Sequence, residues 1–235
     1  MTPRPRSTVP TVIVMAKLAA TGRVKTRLMT EFTPQQATEI HRTMLGCVMR
    51  RVERVMPDWP RVIALDCGPP YDHATLPEPL LQQRPAWRVR LQGDGDLGER
   101  MARVASQVGG GPLIFLGADC PDAPLSILRQ AVVSTARPWD VMLGPTTDGG
   151  YWTLTLNQCQ PILLQGIDWG TDRVYHQTLA KAHAANLRLV ELDLWHDVDT
   201  PDDLAALHRR LRSAREKELT GLALRLRSIC QEHQP

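Results

Sequence analysis

Cysteine occurs at only five positions, Cys47, Cys67, Cys120, Cys159 and Cys230, an odd number at wide spacing with no CxxC pair. This excludes a disulfide framework and a zinc knuckle, and it fits a reducing cytosol. Long apolar runs are missing as well. The basic opening MTPRPRSTVP leads only into the short run TVIVMA before Lys17, too short for a signal core, and nothing later reaches the length of a membrane span. A cytoplasmic protein with no membrane partner is expected. The net charge of +3 is small for 235 residues, which excludes a nucleic-acid binder that works by overall charge. There is no GxxxxGK[ST] loop, no GxSxG elbow and no HExxH pair. His176 and His183 have no companion at ligand spacing and read as structural. One absence is local: no acidic residue precedes Glu31, although Lys17, Arg23, Lys25 and Arg27 crowd the segment before it.

What is present is an alternation of short apolar runs and amphipathic stretches. Strands are expected at TVIVMA, RVIALD (61–66), WRVRLQ (87–92), PLIFLG (112–117), 140–143, 150–156 and 187–192. Helices are expected between them. One starts at Thr33-Pro34, read as N-cap and first helical residue, and stops at Pro57; others lie at 97–108, 125–136, 171–185 and 201–218. The four prolines of GPPYDHATLPEPL exclude regular structure there. The pattern predicts an α/β fold: a Rossmann-like, three-layer α/β/α arrangement around a mostly parallel sheet. The expected organisation is a flexible tail over 1–10, one domain over 11–218 and a helical tail over 219–235. In that tail Gly221 is a helix breaker, and Leu222, Leu226 and Ile229 pack on the domain or, as a homodimer, on a partner subunit.

Ligands of open parallel sheets bind beyond the carboxyl ends of the strands, so the residues just after each strand are weighed first. After strand one, Gly22 lets backbone approach a ligand, while Lys17, Arg23, Lys25 and Arg27 supply charge for a phosphate. A solvated basic turn is the plainer alternative. Asp119 follows PLIFLG, where a carboxylate can hold Mg²⁺ or Mn²⁺ against phosphate oxygens. Asp197 and Asp199 stand two apart, on one side of an extended segment, and suit the same cation; an N-cap at Asp199 or Thr200 is the competing reading. The Asp148-Gly149-Gly150 turn, with Tyr151, suits a loop that approaches an acceptor, or a simple hairpin. Gly93-Asp94-Gly95-Asp96-Leu97-Gly98 matches the GxGxxG dinucleotide fingerprint literally. Asp94, Asp96 and Glu99 would repel a pyrophosphate, so the segment reads better as a tight turn whose acids face a metal, a base or an acceptor hydroxyl, with Asp96 and Glu99 the acceptor candidates. Trp152 and Trp169 flank these polar loops and are the tryptophans placed to stack on a base or sugar.

Together MAKLAATGRVKTRL, QGDGDLGERM, FLGADCPDAP, GPTTDGGYWTL, DWGTDRV and DVDTPDDL resemble, in order, the motifs of the glycosyltransferase-A-like family of the nucleotide-diphospho-sugar transferase superfamily. VKTRL, GADCP and DVDTPDDL are also similar, more distantly, to phospholactate guanylyltransferases and molybdenum-cofactor nucleotidyltransferases. The resemblance implies a GT-A fold and transfer from a nucleotide or nucleotide-sugar donor to a small-molecule acceptor. It implies that Gly22, Arg23 and Lys25 cradle phosphates, that Asp119 and Asp199 hold the metal, and that Asp148 to Gly150 face the acceptor. Lys25 and Asp119 are then the catalytic candidates. Glycosyl transfer is the expected reaction, nucleotidyl transfer with pyrophosphate release the alternative, and a dinucleotide-dependent oxidoreductase built on GDGDLG a remoter one. Gly117 stands where many metal-dependent glycosyltransferases have the first carboxylate of DxD, which leaves one carboxylate on that strand end.

Overall fold

The computed structural model describes residues 9–69, 86–108, 111–134 and 138–231. The expected loop over 68–80 and the expected tail over 1–10 fall largely outside these. Seven strands form one sheet: β1 (Thr11–Lys17), β2 (Arg61–Asp66), β3 (Trp87–Leu91), β4 (Leu113–Gly117), β5 (Val141–Pro145), β6 (Tyr151–Leu156) and β7 (Leu189–Glu191). Their order is β3-β2-β1-β4-β6-β5-β7. Only β6 runs against its neighbours, because the short 146–150 turn returns the chain as a hairpin before β6 inserts between β5 and β4.

Alternation along the strands assigns residues to two apolar layers. Val12 and Val14 face Leu45, Val48 and Val52 of helix α1 (Pro34–Val55) and Leu125 and Leu128 of α3 (Leu125–Val133). Ile13, Phe115 and Leu154 face Met101, Val104 and Ala105 of α2 (Leu97–Val108) and Ala182 of α4 (Val174–Ala184). The three-layer arrangement follows directly. Helix α1 begins as its sequence dictates: the Thr33 side chain accepts from the Gln36 backbone N–H, Gln36 answers the Thr33 N–H, and Pro34 takes the first turn.

The expected helix over 201–218 is corrected: it ends at Leu211, and a second helix runs over Lys217–Gln231. Two apolar stripes, Leu204, Leu207 and Leu211 on α5 (Pro201–Leu211) and Leu219, Leu222, Leu226 and Ile229 on α6 (Lys217–Gln231), share a third cluster with Ile40 and Met44 of α1. One straight helix could not bring both stripes back onto α1, so packing breaks it. Gly221 does not break α6; it sits inside that helix with no atom within 4 Å of where a side chain would begin. Helix α4 starts at Val174 rather than 171. Among the described residues no helix is long and apolar enough to cross a membrane.

Candidate functional site

The order of strands reverses between β1 and β4, since β2 and β3 lie on one side of β1 while the later strands lie on the other. At such a switch point the loops leaving two adjacent parallel strands diverge and open a crevice. The loop after β1 brings Lys25 there and the loop after β4 brings Asp119. A third segment, 193–199, crosses the same edge: Trp195 bridges to Thr146, and the Val198 N–H donates to the Asp119 carbonyl at 3.1 Å.

Lys25 is where these pieces meet. Its ammonium donates to the Val198 carbonyl at 2.6 Å and to Asp199 Oδ1 at 2.9 Å, and it forms an ion pair with Asp119. Its side chain is 4% exposed, against 48% for Asp119 and 34% for Asp199. The anchors are apolar: Leu28, three residues after Lys25, and Val198, next to Asp199, are both fully buried in the cluster with α1. Burial works against the charge on Lys25, but Asp119 and Asp199 win and hold its pKa above the ordinary lysine value. Burial likewise works to raise the Asp119 pKa, and the ammonium reverses it to a net lowering. Lys25 has a left-handed backbone, φ 50 and ψ 43, unusual without glycine.

The loop after β4 is braced from below. Asp122, a buried carboxylate, accepts from Arg210 Nε at 2.6 Å and Nη2 at 3.2 Å and from Trp195 Nε1 at 3.1 Å. Arg51, also buried, donates to the Pro121 carbonyl at 2.7 Å. Thr200 caps α5 by accepting from the Asp203 N–H, which leaves Asp199 free of the capping role and turned to Lys25.

Two cavities share a wall made by Leu97, Gly117, Asp119, Gly170 and Asp199. One, about 430 Å³, lies over the ends of β1 and β2 and is lined by Lys17, Lys25, His41, Asp66, Gln92 and Arg100. Gln92 is buried and donates to the carbonyls of Ala16 at 3.2 Å and Ala64 at 2.8 Å, tying two strand ends together. Arg100 pairs with Asp66 at 2.8 Å, and burial lowers the pKa of His41, whose Nε2 lies 3.0 Å from the Lys17 carbonyl. Sequence reasoning singled out none of His41, Asp66, Gln92 or Arg100. A polar residue closing β2 and another directly after β3 were the available signals for Asp66 and Gln92.

The other cavity, about 540 Å³, opens beyond β4 and the β5–β6 turn and is lined by Arg27, Asp148, Gly150, Tyr151, Trp169, Asp172 and Asp197 among others. Asp148 Oδ1 accepts from the Thr146 hydroxyl at 2.6 Å and the Gly150 N–H at 2.9 Å, which fixes the turn. Gly149, at φ +85, lies against the Asp172 backbone so closely that no side chain fits. Burial, then Asp148, Asp199 and Asp203, push the Asp197 carboxyl up to about 6. Asp199 rather than Asp197 reaches Lys25, while Asp197 Oδ1 lies 3.4 Å from the Thr147 hydroxyl. Trp152 lines this cavity but is a core residue, 2% exposed, its ring packed against Gly144. Tyr151 and Trp169 meet edge to face at 6.4 Å.

The remaining expected residues lie elsewhere. Asp96 and Glu99 cap the start of α2 by exchanging bonds, Glu99 N–H to Asp96 Oδ1 at 2.8 Å and Asp96 N–H to Glu99 Oε2 at 3.0 Å, and neither lines either of these two cavities. Gly22 has φ +80 in an exposed turn, and the Arg23 guanidinium lies against Gly68; neither lines either of these two cavities. The third glycine of GDGDLG, Gly98, packs α2 against Leu164 and Trp169 with no room for a side chain.

As a metal site, Asp119 and Asp199 present hard oxygens converging on one point, in keeping with Mg²⁺, which takes one or two carboxylates plus substrate phosphates. No cluster of three or more His, Cys, Asp or Glu side chains stands in a metal-holding arrangement among the described residues. Two carboxylates alone suit a divalent ion only where further oxygens complete its coordination.

The fold agrees with that of solved structures. A protein of Desulfovibrio desulfuricans G20, provisionally assigned as a nucleotide-diphospho-sugar transferase, is 27% identical over 95% of this chain and 97% of its own, with a TM-score of 0.80. A cytidylyltransferase from Leptospira borgpetersenii serovar Hardjo-bovis is 14% identical over 97% of this chain and 99% of its own (TM-score 0.55). The inositol-1-phosphate CTP transferase from T. maritima is 14% identical over 94% and 98% (TM-score 0.51). The first likeness gives the fold as that of the nucleotide-diphospho-sugar transferases, and the last two show a shared fold alone. No curated protein matches the chain. Residues 48–171, more than half of the sequence, match the family described as uncharacterized protein conserved in bacteria (DUF2064), and the chain belongs to that family.

Proposed function

We propose that this protein is a metal-dependent transferase that takes its group from a nucleotide-activated donor, and that the donor is a nucleotide sugar. The observation that carries this is the meeting of Lys25, Asp119 and Asp199 on the wall between two cavities, at the switch point of the sheet. In this reading the nucleoside lies over β1 and β2, its phosphates reach the common wall, and the sugar and acceptor occupy the larger cavity. Asp119 and Asp199 would hold the divalent ion, which when bound neutralises the diphosphate as leaving group. Lys17 and Arg27, exposed on either side of Lys25, add positive charge for the same phosphates.

Transfer forms a bond from an acceptor oxygen to the anomeric carbon. The bond from that carbon to the β-phosphate oxygen breaks, and the nucleoside diphosphate leaves with the electron pair. The acceptor proton passes to a carboxylate of the larger cavity, where Asp148, Asp172 and Asp197 are available. These carboxylates favour a hydroxyl acceptor. A phosphate acceptor would enter a cavity in which Asp197 already resists ionising beside Asp148, with Arg27 the one cationic side chain among the described residues of its wall. A second reading, nucleotidyl transfer, is favoured by the exposed cations Lys17, Arg23 and Arg27, which suit a triphosphate.

The test is to incubate the protein with nucleotide sugars, nucleoside triphosphates and a panel of acceptors in Mg²⁺ and assay what is released. Nucleoside diphosphate supports glycosyl transfer; pyrophosphate supports the second reading. Asp119→Ala and Lys25→Ala should each lower turnover by about 10²-fold or more, as losing one preorganised charge-stabilising group does. Near-normal turnover in either variant would place the chemistry elsewhere.

A further inference from the structure

We propose that Lys25 is the resident cation of the Asp119–Asp199 pair, and that it gives up this place to the divalent ion only when the donor's phosphates draw its ammonium away. Ion and donor then bind as a coupled pair. The inference rests on the donor reading above and adds to it an order of events and a specific role for Lys25.

An ammonium has three N–H donors. In Lys25 all three have acceptors: the Val198 carbonyl, Asp199 Oδ1 and the Asp119 carboxylate. With its side chain 4% exposed, Lys25 cannot take a phosphate oxygen without leaving at least one of them. A divalent ion arriving alone meets two carboxylates whose charge is already half balanced, and it must approach a buried positive charge. Polyphosphate reverses both terms, because it offers the ammonium new anionic acceptors and supplies the ion with oxygens of its own.

The surroundings suit such an exchange. Lys25 holds a left-handed backbone, φ 50 and ψ 43, a conformation that costs a non-glycine residue energy and clusters at switching positions. Its anchors stay put, since Leu28 and Val198 are buried whichever way the side chain turns. Asp119 and Asp199 line both cavities, so the ammonium can leave them toward phosphates on the common wall without crossing the core.

Mn²⁺ binding followed by the loss of its free-ion electron paramagnetic resonance signal tests this without any turnover. Lys25→Met should bind Mn²⁺ alone at least about tenfold more tightly than the wild type, a change of about 1.4 kcal/mol. A folded Lys25→Met protein that binds Mn²⁺ no more tightly than the wild type would overturn the proposal. The wild type gives an independent arm should that variant fail to fold. Its Mn²⁺ affinity should rise at least about tenfold with saturating GDP, CDP or UDP, after correction for metal bound by free nucleotide. Equal affinity with and without a nucleotide that demonstrably binds would overturn the coupling. If no nucleotide binds the wild type, the donor reading fails, while the comparison of Mn²⁺ alone between wild type and Lys25→Met still decides the place of Lys25.

Discussion

Alanine in place of Gly98 and of Gly221 should move stability in opposite directions, although both are glycines inside helices. A glycine-to-alanine change in an exposed helix interior gains about 1 kcal/mol from backbone entropy alone. At Gly221 nothing lies within 4 Å of the added Cβ, so the gain stands undiminished. At Gly98 the same atom would lie 2.7 Å from Trp169 Nε1 and 2.9 Å from the Leu164 carbonyl carbon, with the Leu164 oxygen closer still. Backbone and an indole ring must move, and overpacking of this kind costs about 3 kcal/mol. Subtracting the helical gain leaves a loss of about 2 kcal/mol for Gly98→Ala. For a chain of this length that lowers Tm by about 4–8 °C, whereas Gly221→Ala raises it by about 2–4 °C. Calorimetric melts of the three proteins read both signs at once. The displaced Trp169 and Gly170 line the larger cavity, so Gly98→Ala should also weaken ligand binding, which Gly221→Ala leaves alone. A Gly98→Ala protein as stable as Gly221→Ala would refute the close approach of α2 to the 164–170 segment.

Two further perturbations probe the braces and the charge of the site. Arg210→Ala strips the buried Asp122 of both guanidinium bonds and leaves it Trp195 alone, so a loss of about 3 kcal/mol is expected in denaturant melts, with Asp119 loosened three residues away; a loss below about 1 kcal/mol would show the pair to be dispensable. In chelator-containing buffer, the folded protein keeps a proton on Asp197 up to about pH 6, while the unfolded chain loses it near pH 4. Its contribution is therefore present below about pH 4 and is lost as pH rises to about 6. After discounting for solvent around this half-buried carboxyl, Asp197→Asn should stabilise the protein at pH 7 by about 1 kcal/mol and not at pH 4; a gain that is the same at both pH values would contradict the crowding of Asp197 by Asp148, Asp199 and Asp203.

Much of the fold was legible because it is local. Thr33-Pro34 and Thr200-Pro201 cap their helices as such pairs do anywhere, and the apolar runs that become β1, β2 and β4 leave little choice of structure. The placement of polar residues after strands also pointed to the switch point, where Lys25, Asp119 and Asp199 meet. What the sequence hid depends on distant partners. The break between α5 and α6 has no glycine or proline to announce it and exists because two leucine stripes share α1. His41 reads as one more position on a buried helix face, and Arg100 acquires meaning only through Asp66, on a strand 34 residues earlier. Conversely, Asp96 and Glu99 looked like site acids and are consumed by a helix start, a local use that competes with any ligand. Lys25 looked like a free phosphate ligand because a sequence does not reveal that both carboxylates already hold it.

The central claim is that a nucleotide's phosphates bind at the common wall of the two cavities, between Lys25, Asp119 and Asp199. Calorimetric titration of the wild type and of Asp119→Ala with nucleoside diphosphates, triphosphates and nucleotide sugars in Mg²⁺ measures this directly. The wild type should bind at least one of them at a single saturable site, raising stability by about 2.7 kcal/mol at 100 times its dissociation constant, and Asp119→Ala should bind it at least about tenfold more weakly. A wild type that binds none of these ligands, or an Asp119→Ala protein that binds as tightly, would contradict the account.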